Sequence, residues 1–197
     1  MDDLAYHSFH CANHPTWTDR HNRLRNLILN LCTEAGYMAS AEKKNLFSNS
    51  GERPADVFIE DFMLNDKTVP TCLDVVVISV FRQDVIAGAA LKYLSAAKFA
   101  EKDKHDTYDD KIAMNNLRFI PIAVELFGGL GEECRDVFDK LLSRKAVLLG
   151  LDIKAVRRDF WTRFSISLQT SNARMIMSRL DYSSNLFHQK LGKISFY

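Results

Sequence analysis

Two acidic side chains beside apolar runs are the features of this sequence best able to do chemistry. Asp56 directly precedes the apolar run 57–59, and Asp74 stands inside the Leu/Val/Ile run 73–78. A carboxylate next to a buried strand is costly unless a cation or a divalent metal compensates it. Two such carboxylates on neighbouring strands therefore indicate a shared metal.

Further polar groups can converge with the two aspartates. These are Glu42 and one lysine among Lys98, Lys102 and Lys104. Phosphodiester hydrolysis needs such a set, because carboxylates hold Mg²⁺, which binds the scissile phosphate and lowers the pKa of the attacking water. A lysine ammonium stabilises the developing charge or orients the nucleophile.

An alternative reading needs no metal. In it, Asp56 caps a turn after Pro54, and backbone amides satisfy Asp74. The spacing alone leaves both readings open. Asp74 is the harder of the two to explain this way, because its strand is apolar on both faces and a buried carboxylate there needs a metal or a cation.

The elements that must position these groups follow from apolar periodicity and turn residues. Residues 19–35 predict a helix, 85–115 predict one long helix or two abutting ones, and the residues between the two aspartate-bearing strands resemble a turn. Strands are predicted at 37–43, 57–62, 71–80 and 119–125, and further helices at 132–149 and 153–180. A helical crossover between the third and fourth strands predicts a mixed sheet flanked by helices.

Composition favours a soluble globular domain and limits its partners. The 197 residues include 26 Lys and Arg against 25 Asp and Glu, so affinity for a polyanion must come from local clustering. No apolar run approaches the roughly 20 residues that span a bilayer, and the acidic start is expected to be neither a secretory signal nor an Arg-rich transit peptide. Scattered cysteines, of which Cys32, Cys72 and Cys134 lie in apolar surroundings, predict buried thiols in a reducing compartment.

Six short motifs in order resemble the restriction-endonuclease-like (PD-(D/E)XK) nuclease domain found downstream of the reverse transcriptase in some non-LTR retrotransposons. The resemblance covers roughly residues 7 to 180. The motifs are Arg20-His21-Asn22, Arg53-Pro54-Ala55-Asp56, Leu73-Asp74-Val75, Ala100-Glu101-x-x-Lys104-x-x-x-Tyr108, Phe119-x-Pro121-x-x-Val124-Glu125-x-x-Gly128-Gly129 and Leu168-Gln169-x-x-Asn172-Ala173-Arg174. The sequence departs from the wider superfamily in two places, because Ala55 interrupts the Pro-Asp step and Val76 stands at the usual lysine position.

The resemblance implies an α/β fold, a PD-(D/E)XK restriction-endonuclease-like mixed sheet flanked by helices with a C-terminal helical extension. It divides the chain into a zinc-knuckle-like remnant (1–16), a nuclease-like core (17–129) and the extension (130–197). It places metal binding (Mg²⁺ or Mn²⁺) on Asp56 and Asp74 and the catalytic lysine on Lys104, with Tyr108 one turn further on. Glu42 is a further acid at the cleft, and Glu125 another.

The amino end fits the same resemblance. His7-x-x-x-Cys11 has the spacing of the last two ligands of a zinc knuckle. Two ligands cannot hold structural zinc tetrahedrally without help, so structural zinc is not expected even though His10 or His14 offers a third nitrogen.

DNA is the partner that the resemblance implies. Basic residues cluster in the first helix and in the segment 154–179, where Trp161 and Phe164 are interleaved. The predicted nucleic-acid contacts are Arg20, His21, Arg53, Asn172 and Arg174, and a solvated helix face is the alternative for any one arginine.

The expected function is metal-dependent DNA nicking by Mg²⁺-activated water, leaving the 3′ hydroxyl that primes reverse transcription in an intact element. An intact element also implies a reverse transcriptase domain as partner, and this chain is expected to be a fragment, a relic or a stand-alone derivative. The expected location is intracellular, and nuclear in a eukaryote, with no membrane association. The alternatives are an inactive nuclease fold that only binds nucleic acid or a protein, and an unrelated α/β interaction domain.

Overall fold

A four-stranded mixed sheet forms the centre of the molecule. The computed structural model describes residues 15–44, 46 and 55–191, with side chains as far as residue 178. The strands are β1 (Ala39–Ala41), β2 (Val57–Leu64), β3 (Lys67–Ile78) and β4 (Arg118–Glu125), in the spatial order β1-β2-β3-β4. The first three strands are antiparallel, whereas β3 and β4 are parallel. The predicted mixed sheet is therefore confirmed.

Five helices are described around this sheet. They are α1 (Pro15–Glu34), α2 (Ile86–Leu91), α3 (Ser95–Met114), α4 (Glu132–Leu149) and α5 (Ile153–Leu191). Among the described residues, no helix is both long and apolar enough to cross a bilayer.

The connection between β2 and β3 differs from the prediction. The two strands form a hairpin that pairs Leu64 with Lys67, so only Asn65 and Asp66 remain in the turn, whereas the predicted strands left residues 63–70 for it. Both turn residues have positive φ, 51° and 59°. Asn and Asp tolerate that conformation, and a two-residue turn of this kind matches the twist of the paired strands.

The crossover from β3 to β4 consists of two helices, which was one of the two predicted possibilities. The helical conformation is interrupted between α2 and α3. Leu94, which precedes α3, has a φ of 59° and a buried side chain. The Glu125 carboxylate then accepts a hydrogen bond from the Ala97 amide in the first turn of α3 (3.2 Å). This contact ties the helix that carries Lys104 to the end of β4.

The sheet is covered on both faces. On one face α1, α4 and α5 form the main core, in which Leu24, Phe138 and Phe160 pack near the sheet residues Ile59 and Ile122. Each such side chain, when fully buried, contributes about 1.5–3 kcal/mol. On the other face, small residues of α3 lie against the sheet: Ala96, Ala97 and Ala100 form a cluster with Ile78 and Ala123. Alanines let the backbone of α3 approach the sheet closely.

Candidate active site

Asp56 and Asp74 face each other across the β2–β3 hairpin. The strands pair Val57 with Leu73 and Phe58 with Cys72, and one further step of this register sets Asp56 opposite Asp74. The Asp56 amide donates to the Leu73 carbonyl at 3.0 Å, which holds the backbone in place at that step. Directly opposed residues of an antiparallel pair share a face of the sheet, so the two carboxylates point the same way.

A lysine from the crossover helix meets Asp74. The Nζ atom of Lys104 lies 2.7 Å from Asp74 Oδ2. Asp74 is only 6 % exposed, and apart from this ion pair its Oδ2 has no hydrogen-bond partner among the described residues. The other two candidate lysines point elsewhere, because Lys98 pairs with Glu132 at 2.8 Å and Lys102 pairs with Asp106.

Burial and electrostatic attraction shift the pKa values of Asp74 and Lys104 in opposite directions. Burial raises the pKa of the Asp74 carboxyl, and the attraction of the Lys104 ammonium opposes that rise. Burial also lowers the pKa of Lys104, but the attraction of Asp74 and their contact outweigh it, and the pKa of the lysine is raised overall. Lys104 therefore keeps its proton at neutral pH, and its charge is what makes an ionised Asp74 tolerable at this depth.

Asp56 is held by two different groups. Its Oδ1 lies 3.0 Å from Nε2 of His21, and its Oδ2 accepts a hydrogen bond from the Val75 amide at 2.7 Å. The His21 ring stacks on Trp17, one turn earlier in α1, with the two planes 11° apart. The structure thus places His21, predicted to contact nucleic acid, against a predicted metal ligand.

These side chains line one cavity of about 190 Å³. Its polar lining comes from Arg20, His21, Asp56, Asp74 and Lys104, and its apolar lining from Trp17 and Val75, Val76 and Val77. Val76, for which the resemblance implies a lysine position, thus forms part of an apolar wall. The volume is ample for a hydrated cation, since one water takes about 30 Å³.

The donor set is one that Mg²⁺ uses. No group of three or more His, Cys, Asp or Glu side chains that could hold a metal occurs within residues 15–44, 46 and 55–178. Mg²⁺ commonly binds through one or two carboxylates and takes its remaining ligands from water and substrate phosphate. Asp56 and Asp74, which both line the cavity, fit that mode of binding.

Glu42 and Tyr108 lie beside the cavity without lining it. Glu42 pairs with Arg25, and its backbone amide donates to the Asp56 carbonyl at 3.0 Å. The Tyr108 ring packs on Phe119 and its centroid lies 5.8 Å from Lys104 Nζ. Both residues therefore adjoin the groups that line the cavity.

The residues predicted to contact nucleic acid are spread over different environments. Arg20 and Asn172 are buried and bonded to each other, with Arg20 Nη1 donating to Asn172 Oδ1 at 3.0 Å, and burial lowers the pKa of Arg20 to about 10. Arg174 is half exposed and lies 3.8 Å from Asp19. Arg53 lies outside the described residues, as do His7, Cys11 and the proposed zinc-knuckle remnant up to residue 14.

Sequence reasoning missed two of the groups that shape the cavity. Trp17 precedes His21 by four residues on α1, a spacing that puts both rings on one face of a helix and was available as a signal. The Val75 amide that binds Asp56 has no sequence signal, because every residue other than proline carries such a donor.

No protein-family model matches the chain, and no curated protein matches it.

Proposed function

We propose that this chain is a metal-dependent DNA endonuclease of the restriction-endonuclease-like, PD-(D/E)XK type, similar to the nuclease domain of non-LTR retrotransposons. One observation carries the proposal. Lys104, from the crossover helix, reaches Asp74 at 2.7 Å in a cavity that Asp56 also lines. Two opposed carboxylates and an ammonium in one cavity are the groups that phosphodiester hydrolysis needs.

Asp56 and Asp74 are the residues that would hold the metal. Mg²⁺ or Mn²⁺, when bound, supplies positive charge next to the scissile phosphate and lowers the pKa of water. The Val75 amide and His21 fix the orientation of the Asp56 carboxylate, so little reorganisation is needed when a cation binds.

Lys104 supplies the second positive charge. Its ammonium carries a proton at neutral pH and is held in the cavity by the buried carboxylate of Asp74, where a charge acts more strongly than in water. We assign it the stabilisation of charge on the phosphate oxygens as water attacks phosphorus. The bond from phosphorus to the 3′ oxygen breaks, and that oxygen takes a proton, which leaves a 3′ hydroxyl and a 5′ phosphate.

A second candidate function is binding of nucleic acid or protein without catalysis. One observation favours it: each carboxylate already has protein partners, Asp74 in Lys104 and Asp56 in His21 and the Val75 amide. Ion pairs of this kind also occur as purely structural features in proteins that bind no metal.

Nicking of supercoiled plasmid DNA with Mg²⁺ or Mn²⁺ tests the proposal. The unmodified chain is compared with Asp74→Ala and with Asp61→Ala, which removes an exposed carboxylate from β2. We expect nicking by the unmodified chain and by Asp61→Ala, and none by Asp74→Ala. Equal nicking by all three would reveal a contaminant, and DNA binding without any nicking would favour the second candidate.

A further inference from the structure

Trp17 presents a partly exposed indole ring to the candidate active site. It stands in the first turn of α1, is 36 % exposed, and lines the same cavity as Asp56, Asp74 and Lys104. A single exposed aromatic side chain is ordinary on a protein surface. What distinguishes Trp17 is its place in the wall of a cavity that otherwise holds charged groups, where the ring can contact whatever enters.

The orientation of this ring is fixed relative to the carboxylates. The planes of Trp17 and His21 are 11° apart with their centroids separated by 6.3 Å, and His21 Nε2 lies 3.0 Å from Asp56 Oδ1. Below them, α1 is anchored in the main core by the fully buried side chains of Leu24 and Ile28. A flat ring held in this way loses little conformational freedom when a second flat group packs on it.

A nucleobase is the flat group that the proposed chemistry brings here. If Asp56 and Asp74 hold a metal on the scissile phosphate, the adjoining nucleotide lies beside Trp17, because all three side chains line one cavity of about 190 Å³. Every base has a π face that stacks on an aromatic side chain with little dependence on sequence. Removal of such an aromatic ring commonly weakens binding about 5- to 150-fold per stacked base.

Base pairing limits which DNA can use this ring. Inside a duplex both faces of a base are covered by its neighbours, so the base must leave the stack before an aromatic side chain can pack on it. That step costs free energy, and the cost is least for a base that is already unpaired. A stacking ring beside the scissile phosphate therefore favours DNA with an unpaired nucleotide at that point.

We propose that Trp17 stacks on the base of the nucleotide next to the scissile phosphate, and that the site prefers DNA in which this nucleotide is unpaired. Trp17 thereby selects the structure of the substrate, while Asp56, Asp74 and Lys104 act on the phosphate. This assignment rests on the proposed function, from which it takes DNA as the substrate.

Binding in EDTA tests the stacking contact separately from catalysis. The probes are an oligo-dT strand, which does not pair with itself, and a long poly(dA)·poly(dT) duplex, in which strand ends are rare. Filter retention measures both affinities, and tryptophan fluorescence is followed as oligo-dT is added. The chain has two tryptophans, and Trp161 packs against Phe138 at the main core, so quenching on binding reports Trp17.

Three variants isolate the ring. Trp17→Leu removes it, and Trp17→Phe keeps an aromatic face but removes the fluorophore. Tyr93→Leu is the matched control, because Tyr93 is 77 % exposed and lies outside the cavity. Thermal melting of each variant checks that it is folded.

We expect oligo-dT to quench the unmodified chain, and Trp17→Leu to bind oligo-dT about tenfold more weakly but the duplex less than about twofold more weakly. Trp17→Phe should bind oligo-dT within about threefold of the unmodified chain and show no quenching. Tyr93→Leu should match the unmodified chain in both measurements.

Several results would overturn the proposal. They are absence of oligo-dT binding or of quenching in the unmodified chain, the same quenching in Trp17→Phe, an equal loss for strand and duplex in Trp17→Leu, and an equal loss in Tyr93→Leu. The quenching comparison uses only the unmodified chain and the conservative Trp17→Phe, so it decides the matter even if Trp17→Leu does not fold.

This proposal and the proposed endonuclease fail in different ways. Asp74→Ala leaves Trp17 in place and should still be quenched by oligo-dT in EDTA. Quenching by oligo-dT without any nicking would keep the base contact and reject the endonuclease. Nicking without quenching would keep the endonuclease and reject the base contact.

Discussion

The ammonium of Lys104 on α3 lies 2.7 Å from the buried carboxylate of Asp74 on β3. This pair joins the central sheet to its crossover helix and brings a positive charge into a cavity whose strand wall at Val76 is apolar. The positive charge therefore comes from the crossover helix, thirty residues after Asp74, and not from the strand.

Removal of the ammonium should destabilise the fold at neutral pH. In Lys104→Met, Asp74 stays buried without its cation, and we expect the free energy of unfolding to fall by about 2–3 kcal/mol at pH 7. Lys102→Met, which removes an exposed lysine from the same helix, should change it by less than about 0.5 kcal/mol. Urea denaturation followed by circular dichroism measures both.

The same Lys104→Met variant should show a characteristic dependence on pH. Burial raises the pKa of Asp74 in the folded state, and loss of Lys104 removes the attraction that opposes this rise. The folded state then binds a proton more tightly than the unfolded state, so stability is greatest below the unfolded-state pKa and falls as pH rises towards the folded-state pKa. The deficit in the free energy of unfolding, relative to the unmodified chain, should become smaller as the pH is lowered from 7 to 4. A deficit that grew on acidification would contradict this account of Asp74.

Asn172 should contribute to the stability of the fold and should not contact DNA directly. Its side-chain amide donates to the Leu126 carbonyl at 2.8 Å, and its oxygen accepts from Arg20. Asn172→Ala leaves that buried carbonyl without its donor, and we expect a loss of about 2 kcal/mol in the free energy of unfolding. Ser165→Ala, an exposed change two turns earlier on α5, is the control. If folded Asn172→Ala lost DNA binding with no loss of stability, the predicted direct contact would be favoured instead.

His21 should affect nicking through the orientation of Asp56. His21→Ala removes the ring that lies 3.0 Å from Asp56 Oδ1, and we expect a 10- to 100-fold lower nicking rate, as loss of a partner of a metal ligand commonly causes. His21→Asn, which can still donate a hydrogen bond, should recover part of the rate. His105→Ala, a change on α3 outside the cavity, should leave the rate within about twofold.

The three described cysteines should be inert in the folded protein. Cys32, Cys72 and Cys134 are buried free thiols, which confirms their predicted burial, and burial raises the pKa of each to about 12. Alkylation at pH 8 should therefore be roughly a thousandfold slower than for an exposed thiol. Mass spectrometry of a Cys11→Ser variant should count three labels after unfolding. Rapid labelling of any of the three before unfolding would contradict their burial.

The mixed sheet with flanking helices could be predicted because long apolar runs and a proline-free helical segment mark its elements. The two adjacent strands and a turn between them were predicted, but the shortness of the turn was missed. Strands β2 and β3 extend through polar residues to an Asn65-Asp66 turn, whose positive φ values only the paired strands reveal. Periodicity also could not decide between one crossover helix and two. The break at Leu94 depends on its burial against the sheet.

The site was predictable in part. Asp56 and Asp74 stand out because each adjoins an apolar run, but spacing alone did not choose among three lysines. The buried face of α3 carries Ala97, Ala100 and Glu101, and the next position in that pattern is Lys104. The contact of Asp56 with His21 joins residues 35 apart in the sequence, and that of Arg20 with Asn172 joins residues 152 apart. A local sequence pattern cannot predict contacts at such separations.

The central claim is that Lys104 completes Asp56 and Asp74 as a nuclease site. The most direct measurement is the Mg²⁺-dependent nicking rate of Lys104→Met beside that of Lys102→Met, each normalised to its folded fraction. We predict a loss of at least about 100-fold for Lys104→Met and a rate within twofold of the unmodified chain for Lys102→Met. Nicking by folded Lys104→Met at the rate of the unmodified chain would contradict the claim.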